Sequence, residues 1–147
     1  MGDIPELVRV RPGVDAAKCE ERLRGGLLCY AVKDASRIVS MTWCDLEKFS
    51  FETYHRRLGD REVYLFGAYT DPTHRGQNLA PFMRMKCYGA LRAMGRDSFF
   101  STTEYFNRAA RRFKKKLGAV DESLHLHVGI FGWFSHTFTL RRYSTGI

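Results

Sequence analysis

Residues 71–80 read DPTHRGQNLA. A strand-like run, 62–70 (EVYLFGAYT), ends at the turn Asp71-Pro72-Thr73-His74. Arg75-Gly76-Gln77-Asn78-Leu79-Ala80 then opens a helix that runs to about Met94. The first amides of a helix have no partner inside it, and the helix dipole favours negative charge there. Gly76 lets a phosphate approach the backbone closely, and Arg75 adds a planar cationic fork. The chemistry expected of this stretch is capture of a phosphate or diphosphate. Metal chemistry has no comparable support. His125 and His127 share a strand face, but no carboxylate or cysteine at matching spacing completes a ligand set. Cys19, Cys29, Cys44 and Cys87 are scattered without CxxC spacing and read as buried free thiols.

The elements around that turn follow from periodicity. On 62–70, Glu62, Tyr64, Phe66 and Ala68 fall on one face and Val63, Leu65, Gly67 and Tyr69 on the other, which predicts a central strand covered on both sides. The helix from Leu79 is expected to bury Leu79, Met83, Cys87, Ala90, Leu91 and Met94. Arg84 and Tyr88 are placed outward or at its margin, Pro81 lies in its first turn, and Gly95 is its stop. Upstream, the prolines at 5 and 12 interrupt any regular element in 1–11. Residues 14–23 read as a helix with Asp15 as N-cap and Gly25-Gly26 as stop, and 27–32 and 37–44 as a hairpin turning at 33–36. Residues 45–60 read as a polar and aromatic loop with at most a short strand, either an insertion at the substrate end or a surface connector with a few residues packed on the sheet. Downstream come a strand at 98–103, a helix at 107–117 with a narrow stripe of Phe106, Ala109, Ala110, Phe113 and Leu117, a strand at 124–128, a turn or bulge at 129–132, and a last strand at 133–142 with Phe134, His136, Phe138 and Leu140 on one side. The order predicts an α/β domain spanning 1–147: a mixed, mostly antiparallel central sheet flanked by helices on both faces.

Composition sets the frame. The chain has 147 residues, 44% of them hydrophobic, which suits one ordinary globular domain. The lack of an apolar run of membrane length or a signal peptide gives the expectation of a soluble, cytoplasmic protein with no membrane partner. The net charge of +8 is concentrated in RAARRFKKK, 108–116. A helix there is basic on most of its circumference and suits a polyanionic ligand or a solvated face. No zinc-finger, KH or basic-zipper pattern accompanies it, so nucleic acid is an unlikely partner.

The turn segment resembles the coenzyme A binding segment of the GCN5-related N-acetyltransferase superfamily, Arg/Gln-x-x-Gly-x-Gly/Ala behind a strand that ends near a proline. Arg75-Gly76-Gln77-Asn78-Leu79-Ala80 matches it, with Asn78 where that family usually has glycine. A further match lies at 107–118. There the superfamily has an Asn at the helix start, a small residue three on, and an aromatic followed by Leu-Gly. Asn107, Ala110, Phe113, Leu117 and Gly118 match, Ala119 replaces the usual Phe, and Lys114 stands in place of the tyrosine often assigned as general acid.

The resemblance implies acetyl-coenzyme A, or another acyl-coenzyme A, bound between the 68–70 strand end and 101–103. The backbone at Ala68, Tyr69 and Thr70 would hold the pantetheine arm. Arg75, Gly76, Gln77, Asn78, Leu79 and Ala80 would hold the pyrophosphate, Asn107 would hydrogen-bond near the arm or the thioester, and Phe113 would be a further cofactor-binding residue. It implies transfer of an acetyl or acyl group to a primary amine of a small molecule or peptide by direct attack on the thioester. Such chemistry needs a base to free the amine, donors for the oxyanion, and modest help for a thiol whose pKa is already about 8.5. Glu62 is the first candidate base and Glu104 the other. Tyr105, Tyr64 or water could protonate the thiolate, and Lys114 could do so only by reaching inward. His136 reads first as a packed or surface histidine, with a place in the acceptor pocket as the alternative. A small amine is favoured as acceptor, since the short N-terminal region shows no docking module. A homodimer is the base-rate expectation. Two other functions compete: a non-catalytic acyl-coenzyme A binding regulatory domain, and a nucleic-acid-binding domain using the basic helix.

Overall fold

A computed structural model describes residues 4–11, 13–130 and 133–143. In chain order the elements are α1 (Ile4–Val10), α2 (Ala16–Arg24), β1 (Leu28–Asp34), β2 (Arg37–Asp45), β3 (Lys48–Phe51), β4 (Tyr54–Arg57), β5 (Glu62–Thr70), a 3-10 turn (Pro72–His74), α3 (Leu79–Ala93), β6 (Ser98–Phe100), α4 (Arg108–Lys116), β7 (Ser123–Ile130) and β8 (Phe134–Arg142). The central sheet runs β1-β2-β5-β6, antiparallel except for the parallel β5–β6 pair. Two further pairs, β3–β4 and β7–β8, are antiparallel hairpins of their own.

β2 and β5 are central because both of their faces are covered. Every residue of β2 from Ile38 to Cys44 is buried. On one side α1 and α2 bring Ile4, Leu7, Val10 and Cys19 against Ile38, Met41 and Trp43. On the other, α3 brings Cys87 and Leu91 against Cys44, Val63 and Leu65. Trp43 is fully buried in the first cluster, where truncation to alanine costs about 3–5 kcal/mol. The mixed sheet with helices on both faces is the architecture that the element order predicts.

Several local expectations are corrected. Residues 1–11 do not lack a regular element, because 4–10 form α1. Pro5 sits at its second position, where a helix needs no amide, and Ile4, Leu7 and Val10 supply an inward stripe. The 45–60 stretch is a hairpin rather than a loop. Asp45 Oδ1 accepts the Glu47 and Lys48 amides at 2.8 and 2.9 Å and turns the chain into β3, and Glu52 takes a positive φ at the β3–β4 turn. The β1–β2 turn is narrowed to Ala35 and Ser36, with both flanking residues already in strand. β6 stops at Phe100, short of the expected 103. Pro12, and the 131–132 part of the expected 129–132 turn, lie outside the described residues; Gly129 belongs to β7.

The α3 stripe is also rotated from expectation. Met83, Cys87 and Leu91 are buried as predicted, but Met94 is 53% exposed and Ala90 is exposed. Arg84, expected at the margin, is 2% exposed. α3 is covered by the sheet on one side and by α4 on the next, so the buried arc includes position 84. Apolar spacing alone, with no knowledge of the other neighbour, places that arc too close to the methionines. Cys19, Cys44 and Cys87 are buried free thiols and Cys29 is half-buried. Cys44 Sγ and Cys87 Sγ lie 3.7 Å apart.

Candidate active site

The site begins with an interruption in β5. Opposite Thr42, the β2–β5 register jumps from Trp43↔Phe66 to Met41↔Tyr69, so two residues of β5 face one of β2. This is a bulge at Gly67 and Ala68. Gly67 takes φ +60°, and a Cβ there would lie 3.2 Å from both Arg11 Nη1 and Trp43 Cδ1. Its carbonyl accepts from Arg11 Nη1 at 3.3 Å. The bulge also resets the side-chain alternation. Tyr69, expected with Val63 and Leu65, packs with Phe66 on the α1–α2 side. The signal was present in the sequence as a lone glycine inside a strand.

β6 then leaves β5. The parallel pairing covers Glu62↔Ser98, Val63↔Phe99 and Tyr64↔Phe100 and goes no further. Residues 101–104 continue without strand geometry while β5 runs on to Thr70. The two chains part as a wedge. Its apex is closed by Tyr64, 5% exposed, whose hydroxyl lies 3.0 Å from Thr102 Oγ1. Burial pushes the Tyr64 phenol up, against the lowering hydrogen bond from Thr102. Behind the apex, Arg96 Nη1 donates to the carbonyls of Leu46, Gly59 and Glu62 at 3.2, 3.1 and 3.0 Å and fixes the start of β5.

The open end of the wedge meets the N-terminus of α3. Asp71 accepts from the Thr73 hydroxyl and amide, which hold its carboxyl below the usual range and set the 3-10 turn. Arg75 Nε donates to the Thr70 carbonyl at 3.1 Å, and its guanidinium lies 5.8 Å over the Tyr69 ring. Thr70 Oγ1 is itself held by Ser40 at 2.9 Å. Gly76 has φ +79° with open space where a Cβ would be. Asn78 is the N-cap in the left-handed region, φ +57°, and its side chain makes no capping bond. Among the described residues, no backbone hydrogen bond is donated by the amides of 76–80. Five consecutive amides at a helix start, beside a glycine with free space, fit a diphosphate.

α4 lies against α3 and reaches this loop through Lys116. Asn107 caps α4 by accepting the Ala110 amide at 3.0 Å, so its side chain serves the helix. Phe113, Ala110 and Leu117 are half-buried, whereas Phe106 is 89% exposed and lies off the expected stripe. Lys116 Nζ donates to Asn78 Oδ1 at 3.2 Å, placing a cation beside the α3 N-terminus. Lys114 turns inward. Its Nζ donates to the Thr102 carbonyl at 2.8 Å and to Thr103 Oγ1. Burial, with the nearby Arg84 charge, brings its ammonium down to about 8. Arg108, Arg111, Arg112 and Lys115 line a shallow outer groove of about 200 Å³. Sequence reasoning missed Lys116 and Arg84. Lys116 is one charge in a run of like charges, and Arg84 has the spacing of an ordinary exposed helix arginine.

The three expected catalytic side chains are not gathered at one point. Glu62 accepts from Arg56 Nη1 and Nη2 at 2.5 and 3.3 Å and from the Gly59 amide at 2.9 Å. The Arg56 bond, then the Gly59 amide, hold its carboxyl below the usual range. Arg56 in turn lies over Phe100 and Phe49, at 5.0 and 5.6 Å. Glu104 is exposed at the free end of the 101–104 segment. Its carbonyl accepts the Asn107 amide at 3.0 Å, and no described residue bonds its carboxylate. Tyr105 is 56% exposed, with its ring 5.0 Å from the Arg111 guanidinium. His136 is exposed on β8, 4.6 Å from the Phe138 ring. His125 and His127 bond Ser123, Thr139, Thr137 and Ser135 within the β7–β8 hairpin.

No protein-family model matches the chain, and no curated protein matches it in sequence. Solved structures do match in fold. A tetramutant of the BH1408 protein of Bacillus halodurans superposes with a TM-score of 0.69 at 16% identity, covering 87% of this chain and 94% of that one. An aminoglycoside acetyltransferase, meta-AAC0020, from an uncultured soil metagenomic sample and in complex with sisomicin, gives 0.67 at 12% identity, covering 87% and 90%. The aminoglycoside N-acetyltransferase AAC(6')-Iy, in complex with coenzyme A, gives 0.66 at 15% identity, covering 81% and 86%. The likeness is one of fold: the chain has the acyl-coenzyme A N-acyltransferase-like architecture.

Proposed function

We propose that this chain is an acyl-coenzyme A dependent N-acyltransferase, most simply an acetyltransferase, acting on a primary amine of a small molecule or peptide. One observation carries the reading: the unpaired amides of 76–80 stand where β5 ends, at the mouth of the wedge between β5 and 101–104. Acetyltransferases of the same fold, one of them solved with coenzyme A, support it.

In this reading the 76–80 amides and Arg75 hold the diphosphate, with Lys116 adding charge beside Asn78. The backbone from Ala68 to Thr70, which β6 does not pair, takes the pantetheine arm. Asn107 holds the end of α4 in place, and Phe113 packs beneath it. Acyl-coenzyme A supplies an activated thioester, and the chain positions it and manages the protons. A general base must be able to accept a proton, and a carboxylate tied to a guanidinium and an amide is poorly disposed to do so. We therefore assign Glu104, whose carboxylate is free, as the proton acceptor, acting directly or through water. Glu62 acts as an ionised anchor that holds Arg56 across Phe100. Tyr105 lies beside Glu104 and contributes to the acceptor end.

Thiol release on an amine panel, measured for wild type, Glu104→Gln and Glu62→Gln, tests the roles. A loss of tenfold or more for Glu104→Gln with a smaller loss for Glu62→Gln is expected. Equal rates for all three proteins would remove both assignments.

The clamped Glu62 favours one alternative, a non-catalytic acyl-coenzyme A binding domain. Tight coenzyme A binding with no turnover across the panel would establish that instead. The Arg108–Lys116 face favours a nucleic-acid reading, which predicts salt-dependent polynucleotide binding that coenzyme A does not displace. For the exposed apolar face of β7–β8, the partner we assign is another copy of this chain.

A further inference from the structure

Arg84 is a buried charge without a counter-charge. It is 2% exposed, and no hydrogen bond reaches its Nε. Among the described residues no carboxylate lies within ion-pair distance of it. Its electrostatic neighbours are Tyr88, Cys44 and Cys87, all neutral in their ordinary state, and another cation, Lys114. The only carboxylate whose charge reaches Lys114 among the described residues is Asp121, which is exposed. Two cations that repel each other inside a fold are costly unless an anion joins them. The two lie close enough for the Arg84 charge to bear on Lys114. Lys114 is pinned to Thr102 and Thr103 on the segment that follows β6 and parts from β5, and Arg84 belongs to the neighbouring α3.

We propose that Arg84 and Lys114 form a buried anion site at the wedge that takes the sulfur of coenzyme A as its thiolate. The inference rests on the acyl-coenzyme A reading above and goes beyond it by naming the charge state of the bound product. When free coenzyme A binds, the S–H bond breaks, the electron pair stays on sulfur, and the proton passes to solvent. In turnover the same site receives the departing sulfur, and the proton lost by the amine leaves separately. Lys114, brought down to about 8 by burial and Arg84, still carries its charge near neutral pH. A bound thiolate satisfies both cations with charge-assisted hydrogen bonds, including the idle Nε–H.

The test is titration calorimetry of the full chain with coenzyme A and with its S-methyl thioether. Runs at pH 7 in two buffers of different ionisation enthalpy count protons, and ultraviolet difference spectra read the thiolate directly. Wild type is expected to release about one proton per coenzyme A bound, show the thiolate band, and bind coenzyme A about tenfold more tightly than the thioether. Arg84→Met and Lys114→Met should each keep the thioether affinity while losing the proton release and the preference. Arg84→Met replaces a buried charge with an apolar chain, and Lys114→Met is an independent variant should that one fold poorly. Equal affinity for both ligands with no proton release by wild type overturns this proposal and leaves the acyl-coenzyme A reading standing. No binding of either ligand by folded wild type overturns both.

Discussion

At the scale of single residues, the site is governed by which charges are already satisfied. Glu62 comes before Glu104 as a candidate base in the sequence, and their neighbours in the fold reverse that order. Removing Arg56 tests this directly. Arg56→Ala should destabilise the fold by about 1–2 kcal/mol, because a partly buried carboxylate loses its charged partner. The same change should raise the Glu62 carboxyl toward its ordinary value, readable by NMR titration, since the Arg56 bond is the largest cause of its lowering. Lys114 gives another test, with a definite sign. In the fold its ammonium titrates at about 8, against 10.5 ordinarily. The unfolded chain therefore holds more protons between those values, and stability rises with pH across that window. The cost is fully present below about pH 8. Denaturation midpoints of Lys114→Met should accordingly stand highest relative to wild type below pH 8 and fall back toward it as pH approaches 10.5. Neither Lys114's inward turn nor Arg84's burial was legible in the sequence. Both depend on α4 lying against α3, a contact between segments about 30 residues apart that periodicity cannot report.

At the scale of elements, the decisive features are the bulge in β5 and the loop before α3. Gly67→Val should cost about 2–4 kcal/mol in a urea titration. It combines a β-branched residue at positive φ with a Cβ pressed on Trp43 and Arg11. Asn78 separates backbone from side-chain roles. Asn78→Gly keeps the left-handed cap and should preserve coenzyme A affinity within a few-fold. Asn78→Val places a branched side chain at φ +57° and should lose about 1–2 kcal/mol of stability and most of the affinity. The strand, the turn and the helix start of this loop were all readable, because each is set by local residues: proline and aspartate for the turn, glycine and asparagine for the positive angles. The β3–β4 hairpin was not. Its alternation is masked by arginines and a histidine, and its Phe49 packs on Tyr64 of β5 as well as on Tyr54 within the hairpin. The length of β6 was overread for a related reason. SFFSTT has strand composition throughout, but pairing with β5 ends at Tyr64↔Phe100, before the bulge at Gly67 and Ala68.

At the scale of the whole molecule, two surfaces remain to be explained by partners. The first is electrostatic. The chain carries +8, and α4 presents Arg108, Arg111, Arg112 and Lys115 together. Coenzyme A affinity should fall several-fold when ionic strength is raised tenfold, as expected where exposed cations assist a polyanion. The other is apolar. One face of β7–β8 packs polar groups on β3–β4 through Thr53–Thr137 and Tyr54–His125. The opposite face leaves Leu126, Ile130, Phe134 and Phe138 each about half exposed. Residues paired across the two strands share this face, so two copies related by a twofold axis can cover it with identical surfaces. Sedimentation should show a dimer, and Phe138→Lys should return it to monomer without changing coenzyme A affinity. A monomeric wild type at high protein concentration would remove that assignment. No described helix is long and apolar enough to cross a membrane. The mixed sheet and the placement of helices on both faces were legible because alternation of hairpin, strand and helix leaves few ways to cover a central strand, whereas the order β1-β2-β5-β6 was not, because element order alone does not fix topology. How the last hairpin sits was not, because its two faces differ in partner rather than in pattern alone.

The free amides of 76–80 are the feature on which coenzyme A binding turns, and titration calorimetry of coenzyme A into the folded chain tests them most directly. Saturable one-to-one binding is expected, weakened tenfold or more in Asn78→Val and little changed in Asn78→Gly. A folded protein that takes up no coenzyme A, or one whose affinity is indifferent to both substitutions, would contradict that role.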